Sequence, residues 1–186
     1  GFNDYRGGGF FSGRMTAGMV MAGAVAKTLL SQRGVQVMAH VVQIGRVAID
    51  GPITDEQIAR SRDSPVRCAD PEASKMMIEE LERAAADRDS LGGAVECRVT
   101  NLPVGVGEPI FDSVESVVAH GIFSIPAVKA IEFGSGSRLC SMRGSEANDE
   151  FTVSGGRVST KTNNCGGVIG GLTDGMPLVF RACIKP

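Results

Sequence analysis

The sequence predicts an α+β fold, helices sandwiched between antiparallel β-sheets, of which this chain carries an incomplete portion. Three observations predict it. A helical stretch followed by an alternating strand recurs, at 12–42, 71–101 and 113–142. The strands alternate apolar and polar residues, the pattern of antiparallel sheets covered on one face. The first helix, Met15 to Leu30, is apolar almost all round and needs cover on several sides. Placing the helices between two sheets satisfies all three.

Taken in order, Ser12 is a plausible N-cap for that helix, because its hydroxyl can accept an orphan backbone amide. Gly34 is placed to end it in a left-handed cap. Val35–Val42 alternates as a strand, with His40 on its mixed face, read as an ordinary sheet-surface histidine. Gly45 breaks the pattern and Val47–Ile49 resumes it. A polar connection, 50–69, holds a short helical turn opened by Thr54 and Asp55. Asp70-Pro71-Glu72 starts a helix with cap, proline at the first position and acid in the first turn. Met77, Leu81, Ala84 and Ala85 form its buried stripe, and Glu79 and Arg83 an exposed pair.

Ala94–Asn101 is a half-buried strand with Val95, Cys97 and Val99 inward and Glu96, Arg98 and Thr100 outward. Cys97 therefore belongs to the core and is not a nucleophile. Gly105-Val106-Gly107 lacks the remaining spacing of a dinucleotide fingerprint. A helix from Ser113 to about Phe123 buries Val114, Val117, Val118 and Ile122, and Pro126 enforces its end. His120 packs near that end. Lys129–Phe133 and Arg138–Met142 read as strands, and Arg143–Glu150 as a mobile polar loop. Gly155-Gly156 joins a hairpin. The glycine-dense run 163–171 implies close backbone packing or ligand approach. A last strand carries Leu178, Phe180, Ala182 and Ile184 on one face.

Composition narrows the function. The 186 residues, 42% hydrophobic, suffice for one core and one domain. A net charge of −2 with no long basic run argues against nucleic acid. Five scattered cysteines, none in a Cys-x-x-Cys pair, fit reduced thiols in a cytoplasmic protein and no zinc site. No apolar run resembles a signal peptide or a spanning helix, so no membrane is expected. The chain starts at Gly1 inside a glycine-rich segment and stops at Lys185-Pro186, directly after a strand. Both ends read as cut, so residues 1–186 are expected to be one domain, the central portion of a longer chain.

The stretch Asp4–Arg14 is the strongest candidate site. Its glycines let a backbone approach an anionic or planar ligand, the start of the helix behind it favours negative charge, and Arg6 and Arg14 add cationic forks. A tight turn that only opens a core helix would use many of the same residues.

Several blocks resemble chorismate synthase. They are Asp4-Tyr5-Arg6-Gly7-Gly8-Gly9 with Ser12 and Arg14, then Ala22-Gly23-Ala24-Val25-Ala26-Lys27, and Gly105-Val106-Gly107-Glu108-Pro109-Ile110-Phe111-Asp112. Ser124-Ile125-Pro126-Ala127-Val128-Lys129 follows, then Arg143-Gly144-Ser145 with Asn148-Asp149. The most telling is Gly166-Gly167-Val168-Ile169-Gly170-Gly171, continued by Gly175-Met176-Pro177 and ending in Lys185-Pro186. They keep the family's order and cover the chain.

The resemblance implies a chorismate synthase-like β-α-β sandwich in a cytoplasmic homotetramer. It implies conversion of 5-enolpyruvylshikimate 3-phosphate to chorismate by 1,4-anti elimination of phosphate, in aromatic amino-acid biosynthesis, with reduced FMN required but not consumed. Carried over by position, flavin contacts fall on Phe10, Phe11, Ser12, Pro126, Ala127, Gly170, Lys185 and Pro186, and a substrate contact on Arg14. Two departures stand out. Phe10 replaces the family's arginine or histidine, and Pro126 an asparagine found in some members. The family's two catalytic histidines lie in Gly-Glu-Ser-His-Gly and Arg-Pro-Gly-His-Ala-Asp blocks that His40 and His120 do not match. No catalytic residue is therefore assigned here, and the segment alone is expected to be inactive. A non-catalytic phosphate- or flavin-binding module is the alternative, favoured by Phe10.

Overall fold

The structure, a computed structural model, describes residues 4–186, the side chains of Ser154 and Arg157 apart. Its centre is a five-stranded sheet in the order β2-β1-β3-β9-β4, every neighbouring pair antiparallel. The strands are β1 Gln36–Ile44, β2 Val47–Ala48, β3 Gly93–Thr100, β4 Val128–Phe133 and β9 Leu178–Ile184. Two small hairpins stand apart, β5 Phe151–Ser154 with β6 Arg157–Thr160, and β7 Val168–Ile169 with β8 Leu172–Thr173. The helices are α1 Thr16–Ser31, α2 Asp55–Arg60, α3 Pro71–Ala86, α4 Val114–Phe123 and α5 Gly144–Ala147.

Register sets two chemically different faces. Val37, Ala39 and Val41 pair with Val99, Cys97 and Val95, which pair in turn with Leu178, Phe180 and Ala182. On this apolar face α4 lays Val114, Val118 and Ile122 against Val35, Val99 and Phe180. At the β1 edge α3 adds a second cluster, Ala73 and Met77 with Cys68, Val41 and Ile44. Asp70 starts α3 as expected, its Oδ1 accepting from the amides of Glu72 at 2.8 Å and Ala73 at 2.9 Å. Met77 is fully buried. Met77→Ala should lower stability by about 2–5 kcal/mol, through lost transfer energy plus the cavity left behind, as read from urea unfolding. The expected stripe of α3 is buried only in its first half, since Leu81 remains exposed.

α1 has no buried residue, and Val20, Met21, Val25 and Leu29 are largely exposed. The cover expected on several sides of this helix is not supplied by the described residues, which form one five-stranded sheet with helices on one face of it and two separate hairpins.

Two local readings are corrected. Residues 136–141 form a 3-10 helix, Gly136–Ser141, and no strand. The backbone turns at Gly134 (φ 55°) and Gly136 (φ 54°), and the Glu132 carboxylate accepts from the Ser137 amide at 3.3 Å, which tethers the turn to β4. Within 143–150, α5 replaces the open loop, with Glu146 Oε2 accepting from the Arg143 amide at 2.9 Å. Buried Asp149 then organises the next loop. Its carboxylate accepts from Thr162 Oγ1 at 2.6 Å and from the amides of Asn164 and Cys165 at 2.7 Å each. Burial pushes this carboxyl up, but those donors outweigh it and the acid sits below its ordinary range.

The glycine-dense run resolves into close packing. A Cβ on Gly166 would meet the Gly134 amide at 2.4 Å, and one on Gly167 the Pro177 carbonyl at 2.5 Å. Gly170 differs, with open space around it.

Candidate functional site

The loop ahead of α1 is a folded turn. The Asp4 carbonyl accepts from the Gly8 amide at 2.8 Å, and Asp4 Oδ1 from the Arg6 amide at 3.0 Å. Gly8 (φ 78°) and Gly9 (φ 50°) reverse the chain, at a backbone conformation open to glycine. Ser12 then caps a short 3-10 turn, Gly13–Met15, that leads into α1; its Oγ accepts from the Arg14 amide at 3.3 Å.

Arg14 lies back across this turn. Its Nη2 donates to the Gly7 carbonyl at 2.8 Å and its Nε to Ser12 Oγ at 3.2 Å. A Cβ on Gly7 would sit 2.7 Å from that Nη2, so the bare glycine is what lets the guanidinium lie there. Nη1 makes no hydrogen bond among the described residues. Arg6 is held separately, Nε donating to Tyr5 Oη at 3.2 Å with the guanidinium 5.5 Å from the ring centroid. Phe10 and Phe11, 89% and 82% exposed, project unpacked from the same turn.

A second group gathers where α4 ends. Ser124 Oγ lies 3.7 Å from Met19 Sδ, which brings the first turns of α1 beside the residues that lead into Pro126. Ala127 holds φ 70°, a left-handed backbone that costs a non-glycine residue on the order of 1 kcal/mol. Its carbonyl accepts from the Lys185 amide at 3.0 Å, and Val128 pairs with Ile184. The end of β9 is thereby stitched to the start of β4, which puts Pro126, Ala127, Lys185 and Pro186 together at one end of the sheet.

Gly170 is elsewhere. With Gly171 it forms the turn of the β7–β8 hairpin, both at positive φ. The Gly171 carbonyl accepts from the Val114 amide at 3.0 Å, so the hairpin sits at the N-terminus of α4, a full helix length from Ser124. Within this chain the carried-over residues fall into three places. The Phe10–Arg14 turn and the 126–127/185–186 corner share one end of the helix layer, and Gly170 occupies the other.

Cys97 is pushed up to about 11 by burial, as suits a core thiol and no nucleophile.

The sheet face away from the helices holds residues that sequence reasoning placed wrongly. His40, expected on the surface, is 2% exposed, and Glu96, expected to point into solvent, is 5% exposed. Segment 49–55 crosses this face, and Arg98 Nη1 fastens it by donating to the Ile53 carbonyl and to Asp55 Oδ1, both at 2.9 Å. Beneath it Glu96 accepts from Arg98 Nη2 at 3.2 Å and Arg181 Nε at 2.9 Å, with His40 Nε2 at 3.8 Å. Burial pushes the Glu96 carboxyl up, but His40 and the two guanidinium groups outweigh it and hold it at about 2. Parity along each strand would have put His40, Glu96 and Arg98 on one face, but nothing in the sequence signals that residues 49–55 cover them.

Among the described residues, no helix is long and apolar enough to cross a membrane, and no three His, Cys, Asp or Glu side chains gather as a metal site.

An antiparallel sheet carrying helices on one face, with a glycine-arginine turn at the mouth of its longest apolar helix, defines an α+β fold. The chorismate synthase family model matches residues 1–186. Chorismate synthases of Dehalococcoides mccartyi and Thermococcus gammatolerans are 48% and 50% identical to this chain over 186 residues, all of this chain and 51% of each relative. A solved structure described as a crystal structure of chorismate synthase superposes with a TM-score of 0.88 at 32% identity, covering 95% of this chain and 57% of that one. The chain belongs to the chorismate synthase family, and it spans about half the length of the relatives it matches.

Proposed function

We propose that the whole protein is a chorismate synthase, converting 5-enolpyruvylshikimate 3-phosphate to chorismate by 1,4-anti elimination of phosphate. The observation that carries this reading is the family match along the entire chain, with the Asp4–Arg14 turn built as a rigid holder for one guanidinium.

The residues present suit part of a reduced FMN site. Phe10 and Phe11 offer unpacked aromatic faces, Gly170 leaves open space, and the strained Ala127 backbone beside Lys185 presents bare main chain. Phe10, Phe11 and Ser12 with Pro126, Ala127, Lys185 and Pro186 would hold the cofactor at one end of the helix layer, while Gly170, at the other end, stands apart from that group within this chain. The chemistry that reduced FMN would supply there is transient electron donation to the elimination, recovered at its end. The chain's own part is binding and orientation. Arg14, fixed by Gly7 and Ser12, keeps its Nη1 edge for a substrate anion, a pre-organised fork that needs little ordering on binding. Phe10 can stack or pack but cannot donate, so the polar contact made there elsewhere in the family is given up.

The proton-transfer histidines of the family have no counterpart in His40 or His120, so the 186 residues alone should give no chorismate. The rest of the family chain should also cover α1, completing the sandwich. Added alone, the 186-residue chain should enhance the fluorescence of a hydrophobic dye strongly, and the whole protein should not. The cytoplasm and a homotetramer are the expected setting.

Complementation tests the reading. The complete gene should restore growth without aromatic amino acids to a strain that lacks chorismate synthase, and Phe10→His should not be required. Rescue by Phe10→His alone would favour the binding module without chemistry, since Phe10 is the residue that distinguishes the two.

A further inference from the structure

The sheet face away from the helices carries a row of four direct cross-strand neighbours, His40, Glu96, Arg181 and Glu132, on β1, β3, β9 and β4. Glu96 is consumed by its two arginines, one on each oxygen. The rest of the row is not. His40 is 2% exposed, and among the described residues neither ring nitrogen has a hydrogen-bond partner, Nε2 lying 3.8 Å from Glu96 Oε1. Arg181 gives Nε to Glu96, and among the described residues neither Nη group is bonded, its side chain 46% exposed. Glu132 takes the Ser137 amide on Oε1, and no ion pair joins it to the neighbouring Arg181 among the described residues.

Between this row and the crossing segment lies a cavity of about 300 Å³, the lower end of the range for small-molecule sites. Val42, Ile49, Pro52 and Ile53 give it an apolar wall, and His40, Arg181 and Glu132 border it from the sheet. A simple anion there would meet Glu96 and Glu132, and a simple cation would meet Arg98 and Arg181. A dipolar molecule meets a partner for each charge, because a guanidinium fork and a carboxylate with no ion-pair partner among the described residues stand on adjacent strands. The buried imidazole, 3.8 Å from the Glu96 carboxylate, has no hydrogen-bond partner among the described residues, and burial without one is unfavourable.

We propose that this cavity binds a free α-amino acid with a compact apolar side chain. Its carboxylate sits on the Nη edge of Arg181, its ammonium donates to Glu132, and its side chain lies against the Val42–Ile53 wall, which His40 also borders. The assignment does not rest on the proposed reaction.

The test is an NMR titration of the whole protein labelled with nitrogen-15 in its histidine rings, with the His40 and His120 signals assigned by their loss in His40→Gln and His120→Gln. L-Leucine is the probe, with isocaproate and isoamylamine as its two single-charge analogues. The expected result is a saturable shift of the His40 ring signals with Kd of about 1 mM, weakened about tenfold for either analogue. Glu132→Gln should weaken L-leucine about tenfold and leave isocaproate unchanged, while Arg181→Lys, which keeps a cation beside Glu96, should weaken both. An unaltered His120 signal shows that each variant is folded. No His40 shift at about 10 mM L-leucine, or either analogue matching L-leucine on the unsubstituted protein, overturns the proposal.

Discussion

Arg14→Ala in the whole protein is expected to lower kcat/KM for 5-enolpyruvylshikimate 3-phosphate by about two orders of magnitude or more, the usual cost of deleting a pre-aimed donor. The turn is arranged around this one side chain. Gly7 is bare so that the guanidinium can cross the backbone, its carbonyl takes Nη2, and Ser12 takes Nε. Arg14→Lys should recover little of the loss, because a single ammonium cannot hold both anchors and still present an edge to the substrate. Steady-state kinetics should show KM rising more than kcat falls, since the contact is made before the chemical step. Flavin affinity measured without substrate should be nearly unchanged. An unaltered kcat/KM would leave the turn a structural start to α1 and nothing more.

The second large effect falls on stability. Glu96→Ala should destabilise the fold by about 3–5 kcal/mol in urea unfolding, because it leaves the mostly buried Arg98 guanidinium short of its acceptor and His40 beside an uncompensated gap. Arg181, half exposed, contributes less, since solvent screens its share. The same carboxylate sets a pH dependence. Its folded pKa of about 2 lies below the ordinary 4.5, so the stabilisation is fully present above the ordinary value and is lost as pH falls from there toward about 2. Glu96→Gln keeps one acceptor and removes the titration. The variant should therefore be less stable than the natural chain at about pH 7, with the difference shrinking toward about pH 3.

Those residues also show what could be read from sequence. Period-two alternation located the strands at 35–42 and 94–101 and fixed which residues share a face. It could not say that the polar face would be roofed, because the roof is tied down through Arg98 and Ile53, 45 residues apart. His40 and Glu96 were misread for that reason. The 138–142 stretch was misread because alternation over a few residues is weak against two left-handed glycines on its N-terminal side. The apolar character of α1 was legible, but its cover is not among these residues. For the candidate site, glycines and arginines pointed to the Asp4–Arg14 turn directly. The remaining contacts came only from resemblance, since joining Ala127 to Lys185 depends on how β4 meets β9 across 57 intervening positions, which no local pattern encodes.

The most direct measurement is anaerobic turnover by the whole protein, following chorismate formed from 5-enolpyruvylshikimate 3-phosphate with and without reduced FMN. The account predicts chorismate and released phosphate in equal amounts, and only when reduced FMN is present. No chorismate in its presence, from folded protein, would contradict it.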